Sequence, residues 1–247
     1  MSGMREDRPE DPPESSKTVV IMAGGEGTRL YPATQFFPKP LWSFKGKPIL
    51  YHIFDHCIRH GYRKFVVCTQ EKYVDEFSTS CNYYRPPGRM DDLEFNISVG
   101  AGNYGTADRV LHANRYLKSD RFLVYYGDTI LDLDLKLLEN GWDEKCIANI
   151  VVCDVPLDIG VVRHKGSIIE SIWEKPPISS LGYIANVGVG LFSREILKYI
   201  PWNIGADIFG DGLSRAIQSG WTALCTITPT FLDIGSYPAL RRALNVE

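Results

Sequence analysis

A glycine loop, an arginine and a proline-flanked lysine fall within one segment, VVIMAGGEGTRLYPATQFFPKPL, residues 19–41. Backbone N–H groups freed in a glycine-rich turn after a strand can point at an anion. Arg29 adds a permanent fork of donors suited to phosphate oxygens. Lys39 stands fifteen positions beyond Gly24, between Pro38 and Pro40. Those prolines are expected to hold it extended, projecting from a stiff loop. A rigid lysine near an arginine and a nest of amides suits a polyphosphate lying between them. Neither common phosphate motif is present. No Gly-Lys-Ser/Thr follows at the Walker A spacing, and Leu30 takes the third glycine position of the dinucleotide fingerprint. Glycines in a strand-to-helix turn also serve purely steric ends, so the loop alone leaves both readings open.

The elements around these residues read as alternating strands and helices. TVVIMA has the continuous apolar run of a strand buried on both faces. GKPILYHIFDHCIRHGY follows as a helix, with Pro48 in its first turn and Gly61 ending it. KFVVCTQ closes a βαβ unit. EFNISVG, RFLVYYGD and CIANIVVCDV supply further strands, with a helix GTADRVLHANRYL between the first two. The alternation predicts a doubly wound α/β domain with a mostly parallel sheet. IGVVRHKGSIIESIWEK and YIANVGVGLFS have hairpin-like spacing, and predict antiparallel strands forming a small sub-domain over the edge of that sheet. ADIFGDGLSRAIQSG reads as a helix, WTALCTIT as a strand and SYPALRRALNV as a terminal helix.

Composition narrows the function. The chain has 247 residues and 44% hydrophobic content, enough for a sizeable core. Its 27 basic and 30 acidic residues give net −3, which argues against nucleic acid or an anionic membrane as a partner. No apolar run approaches the roughly 18 residues of a spanning helix. Residues 1–17 are polar, proline-rich and without a secretory apolar region, so a disordered leader is expected before a single domain at 18–247. The six cysteines form no CxxC pair and read as free thiols of a reducing cytoplasm. His52, His56 and His60 recur at helical spacing, where a structural stripe outweighs a metal site.

MAGGEGTRLYPATQFFPKPLWSFKGKPIL resembles the signature of the sugar-phosphate nucleotidyltransferases. The likeness continues in order through YGD at 126–128, IGVV at 159–162, WEKP at 173–176, ANVGVGLFS at 185–193 and FLDIGSYPAL at 231–240. It therefore spans nearly everything after the leader. The resemblance implies a Rossmann-like nucleotidyltransferase fold and an in-line displacement. A sugar 1-phosphate oxygen attacks the α-phosphorus of a nucleoside triphosphate, giving a nucleotide sugar and pyrophosphate. The nucleophile is already an anion, so charge neutralisation and alignment must do the catalysis.

Residue by residue, the resemblance implies that Arg29 holds the triphosphate and Lys39 bridges its phosphates. Asp128 and Asp233 would be the ligands of a Mg²⁺ ion. Ala23, Gly24, Gly25, Gly27, Thr28 and Gly127 would surround the nucleotide, with Gly105 and Thr106 facing base or ribose. Lys175 would contact the sugar phosphate, and Gly160, Glu174 and Asn186 the sugar. Trp42, Ser43 and Ile159 depart from the usual pattern, and GAGNYGTAD does not name the base. G, U and C remain open. The family allows a homo-oligomer, and the absence of β-helix repeats points away from a bifunctional acyltransferase. Two other classes stay in play. One is a silent paralogue that binds a nucleotide sugar; the other is a cytidylyltransferase for a non-sugar phosphate or phosphonate.

Overall fold

The structure is a computed structural model and describes residues 17–88, 92–157, 159–202, 204–236, 240–241 and 243. Its central strand is β1 (Thr18–Met22), whose first four residues are buried on both faces, as an uninterrupted β-branched run requires. Two short strands, β2 (Ser43–Phe44) and β3 (Lys47–Pro48), form a hairpin. Its turn residues Lys45 and Gly46 both have positive φ, as a type I′ turn demands. Helix α1 (Ile49–Arg59) starts directly after Pro48. It ends where Gly61 turns left-handed, and the amides of Gly61 and Tyr62 bond the carbonyls of Ile58 and Cys57. That Schellman pattern sends the chain back toward the sheet.

β4 (Lys64–Gln70), α2 (Val74–Tyr83), β5 (Glu94–Gly100), α3 (Thr106–Ala113) and β6 (Arg121–Tyr126) complete the first half. The second half holds β7 (Thr129–Leu131), β8 (Cys146–Cys153), β9 (Val161–Lys165), β10 (Ile168–Trp173) and β11 (Ala185–Ser193), then α4 (Leu213–Gln218), β12 (Thr222–Ile227) and β13 (Phe231–Asp233). The main sheet has seven strands in the order β12-β8-β11-β6-β1-β4-β5. All neighbours run parallel except β11, which is antiparallel to both β6 and β8.

This is the doubly wound, mostly parallel sheet that the alternation predicts. Val19, Ile21, Phe65 and Val67 face α1 and α2, while Val20, Val66, Phe122 and Val124 face α3 and α4. The strand at 185–193 is antiparallel as expected but does not belong to a sub-domain. Six consecutive residues of β11, Val187–Phe192, are buried, so it fits only the interior of the main sheet. Among the described residues the sub-domain is a two-stranded ribbon, β9 with β10. The helix expected from ADIFGDG opens instead as one wide turn, Ile208–Gly212, before α4. The leader, and most of the terminal helix expected at SYPALRRALNV, lie outside the described residues.

Candidate active site

β1 has β4 on one side and β6 on the other, and the chain returns to them across opposite faces of the sheet. Such a switch point opens a crevice beyond the carboxyl ends of the strands. A cavity of about 270 Å³ lies there, between the loop after β1, Lys39 and Pro40, the start of α3 and the end of β6. Ala23, Gly24, Gly25, Gly27, Arg29, Lys39, Gly105, Thr106, Gly127 and Asp128 all border it. Thr28 sits in the same loop but off the cavity wall.

The glycines of the loop are required for different reasons. Gly24 is buried, and a Cβ there would stand 2.1 Å from Nη1 of Arg109. Gly27 has φ +63, a left-handed conformation that side chains rarely adopt. Gly25 is exposed, and a Cβ there would meet nothing within 4 Å. The protein therefore does not demand glycine at 25; the space belongs to the cavity.

Charge converges from four segments. Lys39 Nζ donates to Asp128 Oδ2 at 2.8 Å, with both side chains largely shielded from solvent. The lysine segment is not extended, contrary to the sequence expectation. Lys39–Leu41 makes a single 3₁₀ turn, because the fixed φ of Pro40 is compatible with the first helical turn as well as with extended backbone. Asp128 leads into β7, which pairs antiparallel with β13 and sets Asp233 opposite Thr129. The Ile234 amide donates to the Asp128 carbonyl at 3.0 Å, so the two aspartates share one corner. Arg29 reaches the same corner: a Cβ on Gly235 would lie 2.5 Å from Asp233 Oδ1 and 2.9 Å from Nη2 of Arg29.

The residues expected on the sugar side are placed differently. Gly160, Glu174, Lys175 and Asn186 are all exposed, and none borders the cavity. Gly160 and Glu174 face each other across the base of the β9–β10 ribbon, where a Cβ at 160 would lie 3.0 Å from Glu174 Oε1. Lys175 has φ +46 immediately before Pro176, a position where extended backbone is the norm. Asn186 Oδ1 accepts from the Gly188 amide at 3.0 Å. Gly188 in turn packs against the ring of Tyr126, which leaves no room for a side chain there.

Arg109 and Gln70 are not legible in the motifs, and neither are the partners of Tyr126 and Thr106. Arg109 on α3 is 4% exposed and donates to the carbonyls of Gly24 at 2.9 Å and Thr69 at 3.2 Å. Burial lowers its pKa from the usual value. Gln70, at the end of β4, donates to the same Gly24 carbonyl at 2.7 Å. Tyr126, which borders the cavity, donates to Asp207 Oδ2 at 2.9 Å, and burial, then Asp207, raise its pKa. Thr106 donates to the same oxygen at 2.6 Å while accepting from the Ile208 amide, so its hydroxyl is committed within the protein.

The histidine stripe is tied to the scaffold. His52 and His60 each bond a backbone carbonyl, and His56 lies between the Tyr125 hydroxyl and the Leu133 carbonyl. The Leu133 carbonyl can only accept, so Nε2 of His56 carries the proton and Nδ1 accepts from Tyr125. Burial depresses the His56 pKa to about 4, which keeps the ring neutral. Among the described residues no three His, Cys, Asp or Glu side chains gather to hold a metal, and no helix is long and apolar enough to cross a membrane.

Residues 18–246 match the model of the nucleotidyl transferase family. The chain is 28% identical over 252 residues to the UTP–glucose-1-phosphate uridylyltransferase of Synechocystis, covering 93% of this chain and 64% of that protein. It is 34% identical over 205 residues to the glucose-1-phosphate cytidylyltransferase of Salmonella typhimurium, covering 74% and 77%. It spans only 51% of the bifunctional protein GlmU of Methanococcus vannielii, at 32% identity over 230 residues and 88% of this chain. The fold is shared with the inositol-1-phosphate CTP transferase of T. maritima, with TM-score 0.69 at 16% identity over 94% of this chain and 96% of that one.

Proposed function

The chain belongs to the sugar-phosphate nucleotidyltransferase family, and from that premise we propose that it transfers a nucleotidyl group from a nucleoside triphosphate to a sugar 1-phosphate. The observation that carries the proposal is the convergence of Arg29, Lys39, Asp128 and Asp233 beside an open glycine loop. A phosphate oxygen of the sugar 1-phosphate attacks the α-phosphorus. The bond from that phosphorus to the bridging oxygen breaks, and pyrophosphate leaves with the electron pair. No proton needs to be removed from the nucleophile, so no general base is assigned.

Each cation then has a task. The loop amides and Arg29 hold the triphosphate and offset charge on the departing pyrophosphate. Lys39, which pairs with Asp128, would bridge the phosphates. Asp128 and Asp233, whose backbones meet at one corner, would be the residues to hold Mg²⁺, since two carboxylates with substrate oxygens are its usual hard donor set. Bound there, Mg²⁺ would draw off charge from the phosphate oxygens. Glu174, Asn186 and the Gly160 backbone take the sugar hydroxyls, and Lys175 the sugar phosphate. Gly105 faces the base or ribose, with G, U and C as the candidate bases. Six free thiols, five of them buried, accord with a reducing cytoplasm.

The test is pyrophosphate release by the purified protein with Mg²⁺, each of ATP, CTP, GTP, UTP and dTTP, and a panel of sugar 1-phosphates. One productive pair is expected. If no triphosphate raises the melting temperature and no pair releases pyrophosphate, the proposal fails. A ligand at a hundred times its Kd stabilises by about 2.7 kcal/mol, so binding alone would be visible.

A further inference from the structure

The carbonyl of Gly24 is held by two buried donors from distant parts of the chain. Gln70 Nε2, at 2.7 Å, comes from β4, 46 residues away, and Arg109 Nη2, at 2.9 Å, from α3, 85 residues away. Arg109 also donates to Thr69 and, more weakly at 3.4 Å, to Ala101. Its guanidinium thus ties together the ends of β4, β5 and the loop after β1. No carboxylate among the described residues forms a salt bridge with it.

The consequence follows from peptide geometry. The Gly24–Gly25 bond is trans and planar, so its C=O and N–H point in opposite directions. Fixing the carbonyl on the buried side turns the Gly25 amide toward the open side. There a Cβ would touch nothing within 4 Å, and no acceptor among the described residues takes that amide. A peptide between two glycines is the easiest of all to flip, because neither neighbour resists positive φ. Left alone, it would present its carbonyl oxygen to the cavity about as readily as its N–H, and a carbonyl repels phosphate.

We propose that Gln70 and Arg109 are positioning residues that lock the Gly24–Gly25 peptide with the Gly25 N–H aimed at a phosphate oxygen of the bound nucleotide. The inference rests on the phosphate-binding reading of the cavity. It also accounts for a buried arginine that borders the cavity yet gives its donors to the carbonyls of Gly24, Thr69 and Ala101.

Inorganic tripolyphosphate is the appropriate probe, because it tests the phosphate subsite whichever base the protein reads. Its Kd is measured by calorimetry on the wild type, Gln70→Met, Gln70→Glu, Arg109→Met and Arg109→Lys, with the Gly25 amide followed in ¹⁵N–¹H spectra. Gln70→Met and Arg109→Met should each weaken binding about tenfold, the ordinary effect of losing one hydrogen bond that serves a charged ligand. Gln70→Glu keeps the shape but removes the donor, and should be no tighter than Gln70→Met. Arg109→Lys keeps one donor and should recover part of the loss. The Gly25 amide signal should shift in both methionine variants, and KM for the sugar 1-phosphate should stay within twofold. If the methionine variants bind like the wild type, or the Gly25 signal does not move, the positioning role is overturned. If Arg109→Met does not fold, Gln70→Met decides alone. If the wild type does not bind tripolyphosphate, the phosphate reading itself fails and takes this inference with it.

Discussion

The two sides of the site are built to different standards. On the side proposed for the nucleotide, the peptide after Gly24 is clamped by two buried donors, Lys39 is paired with Asp128, and Tyr126 and Thr106 share one oxygen of Asp207. On the side proposed for the sugar, all six residues of β10 are exposed, Ile168 to 71% and Trp173 to 59%. The ribbon is anchored at its base, where the Leu157 amide meets the Pro176 carbonyl and the Ile178 amide meets Val155. Beyond that base, among the described residues, it has its own ladder and the exposed pair of Arg163 with Glu170 at 3.1 Å. A two-stranded ribbon alone is marginally stable in water. The side proposed for the nucleotide is therefore held by contacts within the chain, and the side proposed for the sugar draws little order from the rest of it. The contrast suits the chemistry. Phosphate transfer needs fixed charges at fixed places, whereas sugar recognition needs only a wall that can be shaped.

The sharpest way to break this contrast is to remove a fixed charge. Arg29→Ala or Asp128→Ala should lower turnover by about 10²–10³-fold, the usual effect of deleting a group that stabilises developing charge. Pyrophosphate release by the folded variants is the check, and near-wild-type turnover in either would remove that residue from the mechanism. Next in size is the difference between two adjacent glycines. Gly24→Ala drives a methyl group into the buried Arg109 guanidinium and should cost about 1–3 kcal/mol in urea unfolding, as overpacking does. Gly25→Ala finds open space and should leave stability within about 0.5 kcal/mol of the wild type. Its methyl group occupies the side from which phosphate approaches, so triphosphate affinity should fall. If the two variants are equally stable, the nucleotide side is looser than its hydrogen bonds imply.

The same contrast governs what the amino-acid order reveals. β1 and β4 are legible because each carries an unbroken, buried apolar run. The glycine loop, Arg29, Lys39 and Asp128 are legible because they sit in short motifs of fixed spacing. Arg109 is not, since a charged residue on an amphipathic helix ordinarily faces water. Only the fold shows that it faces the Gly24 carbonyl from α3. Gln70 is equally silent, because nothing in KFVVCTQ says what its last side chain will meet. The antiparallel sense of β11 is readable from hairpin spacing. Its place inside the main sheet is not, because pairing partners 64 to 72 residues away leave no local trace. Asp233 is readable as a motif, but its corner with Asp128 depends on the β7–β13 ladder.

Smaller effects probe the sugar side. Asn186→Ala removes an exposed side chain whose one hydrogen bond within the protein goes to the Gly188 amide. It should raise KM for the sugar 1-phosphate about tenfold, the worth of one hydrogen bond to substrate, and leave the triphosphate KM within twofold. Equal effects in both titrations would mean that Asn186 acts by holding Gly188 against Tyr126 rather than by touching the sugar. The smallest change should come from Ile172→Thr on β10. The side chain is 61% exposed, and threonine keeps the β-branched shape that a strand favours. Its unfolding free energy should therefore stay within about 0.5 kcal/mol of the wild type, as for most surface substitutions. A loss several times larger would show that the apolar face of the ribbon is covered in solution. The sugar side would then owe its order to a second chain, and the contrast between the two sides would hold only for the isolated protein.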